Sequence, residues 1–190
     1  MNNKLISEYF DTTINVLSNV DQDMVASAIE EIIKAFLQGK KIFTCGNGGS
    51  AYAASHYITD WNKMTLVHTG KPFKGYSLCD NIGIITAYAN DMSYDEIFAK
   101  QLETLGEQGD LLIVISGSGN SPNVISVVKK AKELEITTLG ILGFGGGKAA
   151  QLVDQAVILN SNDMQICEDF HLMFGHIVMK KLCNLSVVKS

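Results

Sequence analysis

The feature that most constrains the fold of this chain is the stretch DLLIVIS at residues 110–116, whose LLIVI centre is continuously apolar. A strand has this composition when both faces of its sheet are covered. The stretch leads into the glycine-containing turn GSGNSPNV, and residues 124–134 continue at helical spacing. The order strand, turn and helix is typical of parallel sheets.

The same order recurs along the chain. KIFTC at 41–45 is a short apolar run that leads into GNGGS, and residues 50–60 then resume at helical spacing. Further strands are predicted at GYSLC (75–79), which precedes a helix from about Asn81, and at TTLGILG (137–143) and QAVILN (155–160), which GFGGGKAA separates. Strands that alternate with helices predict an α/β fold, a doubly wound parallel sheet of about five strands flanked by helices.

Helical segments are predicted at both ends of the chain. Residues 5–37 have apolar groups at helical spacing with a break at 18–23, and QGKK ends the second segment with a glycine. Residues 165–185 are apolar nearly all round, so this helix must be buried on several sides. Burial against other subunits would explain this and predicts a homo-oligomer, although a core helix of a monomer is the simpler interpretation. A chain of 190 residues suits one domain, divided into an N-terminal helical segment (1–38), a parallel α/β core (39–160) and the C-terminal helix (165–185).

Charge and cysteine content limit the possible partners and location. The net charge of −5 disfavours nucleic acid as a partner, because non-specific binding to it depends on clustered Lys and Arg. Residues 1–11 lack a basic start followed by an apolar run, so we expect neither export nor a membrane anchor, and we expect a cytoplasmic protein. The four cysteines show no close paired spacing, which indicates reduced, buried thiols.

The turn after DLLIVIS has the composition of a phosphate-binding loop. Glycines let the backbone approach an anion, serine hydroxyls donate hydrogen bonds, and the N-terminus of the following helix favours negative charge. The predicted ligand-binding residues of this turn are Ser116, Gly117, Ser118 and Ser121, and those of the equivalent loop CGNGGS are Asn47, Gly48, Gly49 and Ser50. Neither loop fits the P-loop or dinucleotide patterns, so a nucleotide is disfavoured. The alternative is that these residues only make a turn and cap a helix.

Four titratable residues form a second candidate constellation. His56 and Asp60 are four residues apart and share one helix face, and Glu168 and His176 are eight apart in the C-terminal helix. Two histidines and two carboxylates could bind zinc or act as acid and base. Each histidine taken alone is more often a satisfied core residue than a ligand. Asp169 and His171 are lesser candidates, and His68, in a polar stretch that we interpret as a loop, is assigned no role.

Three separated motifs identify a family resemblance. CGNGGSAYAASH, AYANDMSYDEIFAKQLETLGEQGDLLIVISGSGNSPNVI and EDFHLMFGHI resemble, in order and spacing, the sugar isomerase (SIS) domain of bacterial phosphoheptose isomerases, and the likeness extends to about Leu185. The resemblance implies a flavodoxin-like three-layer sandwich and a cytoplasmic homotetramer with sites between subunits. It also implies conversion of sedoheptulose 7-phosphate to D-glycero-D-manno-heptose 7-phosphate, a precursor of cell-surface glycans such as lipopolysaccharide or capsule.

The resemblance also implies roles for individual residues. Ser116, Ser118 and Ser121 would hold the phosphate, and Asn47, Gly48, Gly49, Asn90 and Asp91 would contact the sugar. One zinc ion per site would have the ligands His56, Asp60, Glu168 and His176. Asp60 occupies the position of the general base and His176 that of the acid, and isomerisation through an enediolate needs both, with a positive group near the oxyanion.

The sequence departs from the family pattern at several of these positions. Asp60 replaces the usual Glu and is shorter by about 1 Å, a misplacement that can cost on the order of a hundredfold in rate. Glu168 replaces Gln, Gly117 replaces Thr, and Met64 replaces an Arg. These departures leave open a different sugar phosphate, a base role shared with Glu168, or a loss of catalysis. The non-catalytic alternative is a phosphosugar-binding regulator that holds a replication initiator protein.

Overall fold

The computed structural model describes residues 3–185 and contains one parallel sheet of five strands. The strands are β1 (Ile42–Cys45), β2 (Gly75–Ser77), β3 (Leu111–Ser116), β4 (Thr137–Leu142) and β5 (Gln155–Ile158). They lie in the order β2-β1-β3-β4-β5, and every neighbouring pair is parallel. The order reverses between β1 and β3, which is where ligands bind in open sheets of this kind.

Seven α-helices occur between residues 3 and 185, together with three short 3₁₀ turns. The α-helices are α1 (Lys4–Ser18), α2 (Gln22–Leu37), α3 (Gly49–Thr69), α4 (Ile82–Asp91), α5 (Ala99–Leu105), α6 (Pro122–Glu133) and α7 (Met164–Cys183). Side-chain caps begin three of them: Asp21 accepts backbone N–H bonds at α2, Asn81 at α4 and Asp163 at α7. No helix among the described residues is both long and apolar enough to cross a bilayer.

The sheet is covered on both faces by separate apolar clusters. Alternate residues of β3 point to opposite faces, so Ile113 joins the cluster formed with α2, α3 and α7, while Val114 joins the cluster formed with α5 and α6. All six residues of β3 are buried, as its uninterrupted apolar sequence requires. The α/β fold class and the doubly wound five-strand sheet predicted from the sequence are therefore confirmed.

The helix predicted from about residue 81 is confirmed as α4, and the segment between β2 and β3 also contains a 3₁₀ turn at Tyr94–Glu96 and α5, which were not predicted. One local expectation was wrong. The stretch around His68 was interpreted as a loop, but α3 continues to Thr69 and the left-handed Gly70 ends it. Lys63 and His68 are exposed, while Thr65 and Thr69 are buried, and the Thr69 hydroxyl donates to the Thr65 carbonyl at 2.7 Å, so polar residues here are compatible with a continuous helix.

Helix α7 is largely buried within its own chain. Eight of its residues are buried, among them Phe170, Phe174 and Val178, while Leu172 and Ile177 remain 39% and 41% exposed. The packing against α2 and α3 therefore accounts for most of the apolar character of this helix without a second subunit. Packing within the chain does not explain why Leu172 and Ile177, which stay partly exposed, are apolar.

Candidate active site

A cavity of about 270 Å³ lies where the loops after β1 and β3 meet at the reversal of strand order. The lining residues come from both loops and from α7: Asn47, Gly48, Gly49, Ser50, Ile115, Ser116, Gly117, Ser118, Ser121, Met164 and Glu168. The structure thus brings together all the predicted ligand-binding residues of the two loops. Asn90 and Asp91 lie outside this lining, at the end of α4, where the Asn90 amide donates to the Asp91 carboxylate at 2.8 Å.

The serine turn, residues 116–121, is held by its own hydrogen bonds. Gly119 N donates to Ser116 Oγ at 3.0 Å, and Asn120 N donates to Ser118 Oγ at 3.3 Å. Ser121 is the N-cap of α6, yet its side chain makes no capping hydrogen bond. The Ser121 hydroxyl is therefore available to a ligand at the positive end of the α6 dipole.

A polar network fixes the loop after β1. Asn47 and the buried Asn123 exchange two amide hydrogen bonds of 2.9 Å, and Tyr94 donates its hydroxyl to Asn47 Oδ1 at 3.0 Å. The sequence-based reasoning missed Asn123 and Tyr94. Asn123 directly follows Pro122 in the first turn of α6. An asparagine at that place beside the serine turn was the signal in the sequence that could have identified it.

Helices α3 and α7 run side by side and bring the predicted titratable residues together. Tyr57 donates its hydroxyl to the His171 carbonyl, and the Trp61 indole N–H donates to the Gly175 carbonyl at 2.9 Å. A Cβ at Gly175 would collide with the Tyr57 ring, so the close approach of the two helices depends on this glycine.

The His56, Asp60 and His176 side chains converge on one point beside these helices. The two Nε2 atoms are 3.0 Å apart, and Asp60 Oδ2 lies 3.4 Å from that of His56 and 3.9 Å from that of His176. The group is partly exposed, with side-chain exposures of 42% for His56, 26% for Asp60 and 48% for His176. It is therefore reachable by a substrate.

The separations in this group fit a metal ion. Ligand atoms of a tetrahedral zinc, at about 2.0–2.1 Å from the metal, stand roughly 3.3 Å from one another. The three measured separations bracket that value, and two imidazoles with one carboxylate are a common donor set for zinc. The residues present thus fit a zinc ion with one coordination position to spare.

Glu168 lies apart from the three converging residues. Its carboxylate packs on Gly49, at the first turn of α3, where a Cβ on that glycine would be only 2.7 Å from Oε2. Glu168 thus lines the loop cavity, and its assignment as a zinc ligand stays a prediction.

The two lesser candidates on α7 have other surroundings. Asp169 accepts the Tyr9 hydroxyl at 2.6 Å, a hydrogen bond that raises the pKa of Tyr9 to about 12. His171 is fully buried without a hydrogen-bond partner for either ring nitrogen, and burial lowers its pKa to about 4.

Comparison with known proteins supports the resemblance read from the motifs. The SIS domain profile matches residues 8–143. A phosphoheptose isomerase of Clostridium acetobutylicum is 41% identical over 157 residues, which are 82% of this chain and 79% of that protein. A phosphoheptose isomerase of Aliarcobacter butzleri is 35% identical over 187 residues, 97% of this chain and 98% of that protein.

A solved structure agrees with the sequence comparison. The phosphoheptose isomerase of Neisseria gonorrhoeae superimposes with a TM-score of 0.89 at 27% identity, covering 97% of this chain and all of that chain (100%). The agreement in fold thus extends over nearly the whole chain. The chain therefore belongs to the phosphoheptose isomerase family of SIS-domain proteins.

Proposed function

We propose that this protein is an aldose/ketose isomerase that converts sedoheptulose 7-phosphate to D-glycero-D-manno-heptose 7-phosphate for the heptose of cell-surface glycans. The observation that carries the proposal is that α3 and α7 each contribute to two places, the loop cavity at their N-terminal ends and the converging His56, Asp60 and His176 farther along. An isomerase of a sugar phosphate needs both an anion site and proton-transfer groups.

The spacing of the two places suits a long sugar phosphate. His56 is seven positions after Gly49 on α3, and His176 is eight positions after Glu168 on α7, which correspond to about 10–12 Å along the helix axes. An extended seven-carbon chain with a terminal phosphate can bridge this span. Ser118 and Ser121 would bind the phosphate, Asn47 the sugar hydroxyls, and Asn90 with Asp91 would contact the sugar from the end of α4.

The proton transfers are assigned to Asp60 and His176. The Asp60 carboxylate would remove the proton from the carbon beside the carbonyl, while His176 donates a proton to the carbonyl oxygen. The electron pair left on carbon becomes the double bond of an enediolate. Asp60 then returns the proton to the former carbonyl carbon, while the hydroxyl on the carbon that it deprotonated gives its proton to His176 and becomes the new carbonyl. Glu168, at the cavity end of α7, is the candidate for a shared base role.

Zinc is the proposed cofactor, held by His56, Asp60 and His176, with Glu168 as the predicted fourth ligand. When bound, it would stabilise the negative charge that develops on the sugar oxygen as a Lewis acid. With zinc bound, Asp60 would act on carbon through its second carboxylate oxygen, and His176, whose Nε2 would face the metal, would donate from Nδ1.

We further propose a homotetramer in the cytoplasm, with 1–190 as one domain. Helix α4 has no buried residue although its sequence is apolar, and Ile82 on it is 72% exposed, which supports burial of this helix by another copy. All four cysteines are unpaired, which suits a reducing compartment. Helices α2 and α7 share one apolar cluster with the sheet, which supports a single domain.

The test is a direct assay of the purified protein with sedoheptulose 7-phosphate, in which NMR follows the aldose signal. We expect interconversion that chelation lowers and zinc restores. Asp60→Asn should reduce turnover by about a hundredfold or more, because it removes the base and leaves the shape unchanged. Asp23→Asn, at an exposed position of α2, is the matched control and should retain full turnover.

Absence of interconversion at every zinc concentration would contradict the proposal. If the protein then still bound the sugar phosphate and captured a replication initiator protein, the regulator would be the better assignment. An Asp60→Asn variant with full turnover would instead contradict the role given to Asp60 alone.

A further inference from the structure

The first two turns of α7 contact both ligand loops through two side chains. Met164 and Glu168 are four residues apart, so they lie one turn apart on the same helix face, and both line the loop cavity. Met164 faces Gly117 of the serine turn, and Glu168 faces Gly49 of the loop after β1. The two loops are thus spanned by one face of one helix.

Gly117 is a glycine for reasons of space. Its φ is not among the positive values found at eight other glycines, so its backbone is open to any residue. A Cβ at this position would collide with Met164 Sδ and lie 3.0 Å from Met164 Cε. The thioether of Met164 therefore occupies the volume that a side chain at 117 would fill, immediately beside Ser116 and Ser118.

Met164 also differs chemically from the rest of the lining. Most neighbouring groups are polar, namely hydroxyls, the Asn47 amide and a carboxylate, and the other large apolar residue of the lining, Ile115, is fully buried, whereas the thioether is apolar, polarisable and partly exposed. It is 36% exposed, at the edge of the cavity. An apolar group between the serine turn and the Glu168 carboxylate can contact carbon atoms of a ligand but cannot bind its phosphate.

We propose that Met164 is a specificity-determining residue of the phosphosugar site: it packs on the carbon that carries the phosphate and fixes the distance between the serine turn and α7. This inference rests on the proposed function, since it assumes that the cavity binds the phosphate end of a sugar. The phosphate itself is bound by the serine turn, and the thioether selects the carbon chain attached to it.

The test is a double-mutant cycle in the full-length protein, using Met164→Ala, Gly117→Ala and the double variant. Calorimetry measures the Kd of sedoheptulose 7-phosphate and of inorganic phosphate for each. Alanine is a better helix former than methionine, so Met164→Ala retains α7. Because the thioether is the flexible end of a side chain, Gly117→Ala displaces it without unfolding the turn.

We expect each single variant to weaken sedoheptulose 7-phosphate about tenfold, because each removes the thioether from the cavity. Inorganic phosphate should change less than twofold, and the double variant should be no worse than Met164→Ala, because the two sites share one interaction. Met179→Ala is the control for loss of a thioether on the same helix, about 22 Å away along its axis.

Three results would overturn the inference: equal losses for both ligands, additive losses in the double variant, or unchanged binding of the sugar phosphate by both single variants. Failure of the proposed function has a different signature, since the unmodified protein would then not bind sedoheptulose 7-phosphate at all. In that case the inference falls with it.

Discussion

His171 is a fully buried imidazole without a hydrogen-bond partner, five residues from His176 on the same helix. Burial disfavours the charged ring and lowers its pKa to about 4 from the ordinary 6.5. Between these two values the unfolded chain binds the proton and the folded chain does not. Protons therefore favour unfolding in this window, and the stability present above pH 6.5 is progressively lost as the pH falls towards 4.

We predict that the titration of His171 lowers the unfolding free energy by about 3 kcal/mol as the pH falls from neutral to 4. His171→Phe should flatten the acid limb of a plot of unfolding free energy against pH, measured in urea at one protein concentration. His68→Gln, which changes an exposed histidine, is the control and should leave the slope unchanged. Equal slopes for His171→Phe and the unmodified protein would contradict the assignment.

At the residue scale the sequence predicts candidate side chains, and the structure shows where each of them lies. His56, Asp60 and His176 converge because α3 and α7 pack side by side, a relation that residue spacing within one helix cannot contain. Glu168 shows the limit of arguments from spacing. Its position on the helix of His176 suggested that the two side chains belong to one group, but the Glu168 carboxylate lies against Gly49. Likewise, the sequence shows only that Gly117 lacks the hydroxyl of the usual Thr. The structure shows that the absence of a side chain there makes room for Met164.

At the scale of elements, the serine turn depends on its contact with the loop between β4 and β5. Gly119 has a φ of +63°, and a Cβ there would collide with the carbonyl oxygen of Gly146 and lie 3.2 Å from Gly147 N. Its own carbonyl accepts the N–H of Ala149 at 2.9 Å. The two glycine-containing loops therefore hold each other in place, which fixes one side of the cavity.

We predict that Gly119→Ala lowers the unfolding free energy by about 3 kcal/mol, because left-handed strain of 1–2 kcal/mol combines with overpacking against backbone. Gly145→Ala is the matched control, since Gly145 has a φ of +76° but open space around it. It should cost only the strain, about 1 kcal/mol. Denaturant midpoints measure both, and similar losses in the two variants would show that the contact with Gly146 is unimportant.

Elements were predictable where the sequence has strong periodicity. The five strands were predicted within two residues at either end; β3 is the clearest apolar run, whereas β2, with the sequence GYS, was recognised by its place before a helix. The 3₁₀ turn and α5 between β2 and β3 were not predicted. Helix α4 buries no residue and α5 is only seven residues long, so neither helix gives a clear helical pattern of buried positions. Helix α5 packs on α6, and α4 contacts the 3₁₀ turn whose Tyr94 bonds Asn47, so tertiary contacts place this segment.

For the whole molecule, the sheet with two covered faces could be predicted from the apolar strands and from their alternation with helices. The apolar surface that stays exposed could not be predicted in this way. Helix α1 has no buried residue, and a stripe on one side exposes Leu5, Ile6, Phe10 and Ile14 by 56–72%. The sequence suggested burial by other subunits for α7, yet that helix is mostly covered within the chain. Exposed apolar side chains lie on α1 and α4 as well as at Leu172 and Ile177 of α7.

We therefore predict that α1 is a subunit contact and that Phe10→Asp with Ile14→Asp lowers the mass of the particle. Introducing two charges into an apolar contact costs several kcal/mol, because neither charge has a partner there. Light scattering after gel filtration should give a multiple of the 20.7 kDa chain for the unmodified protein and a smaller multiple for the variant. Leu105→Asp, at an isolated exposed position, should keep the larger mass. Should the double variant keep it too, or should the unmodified chain be monomeric, the stripe on α1 would not be the contact.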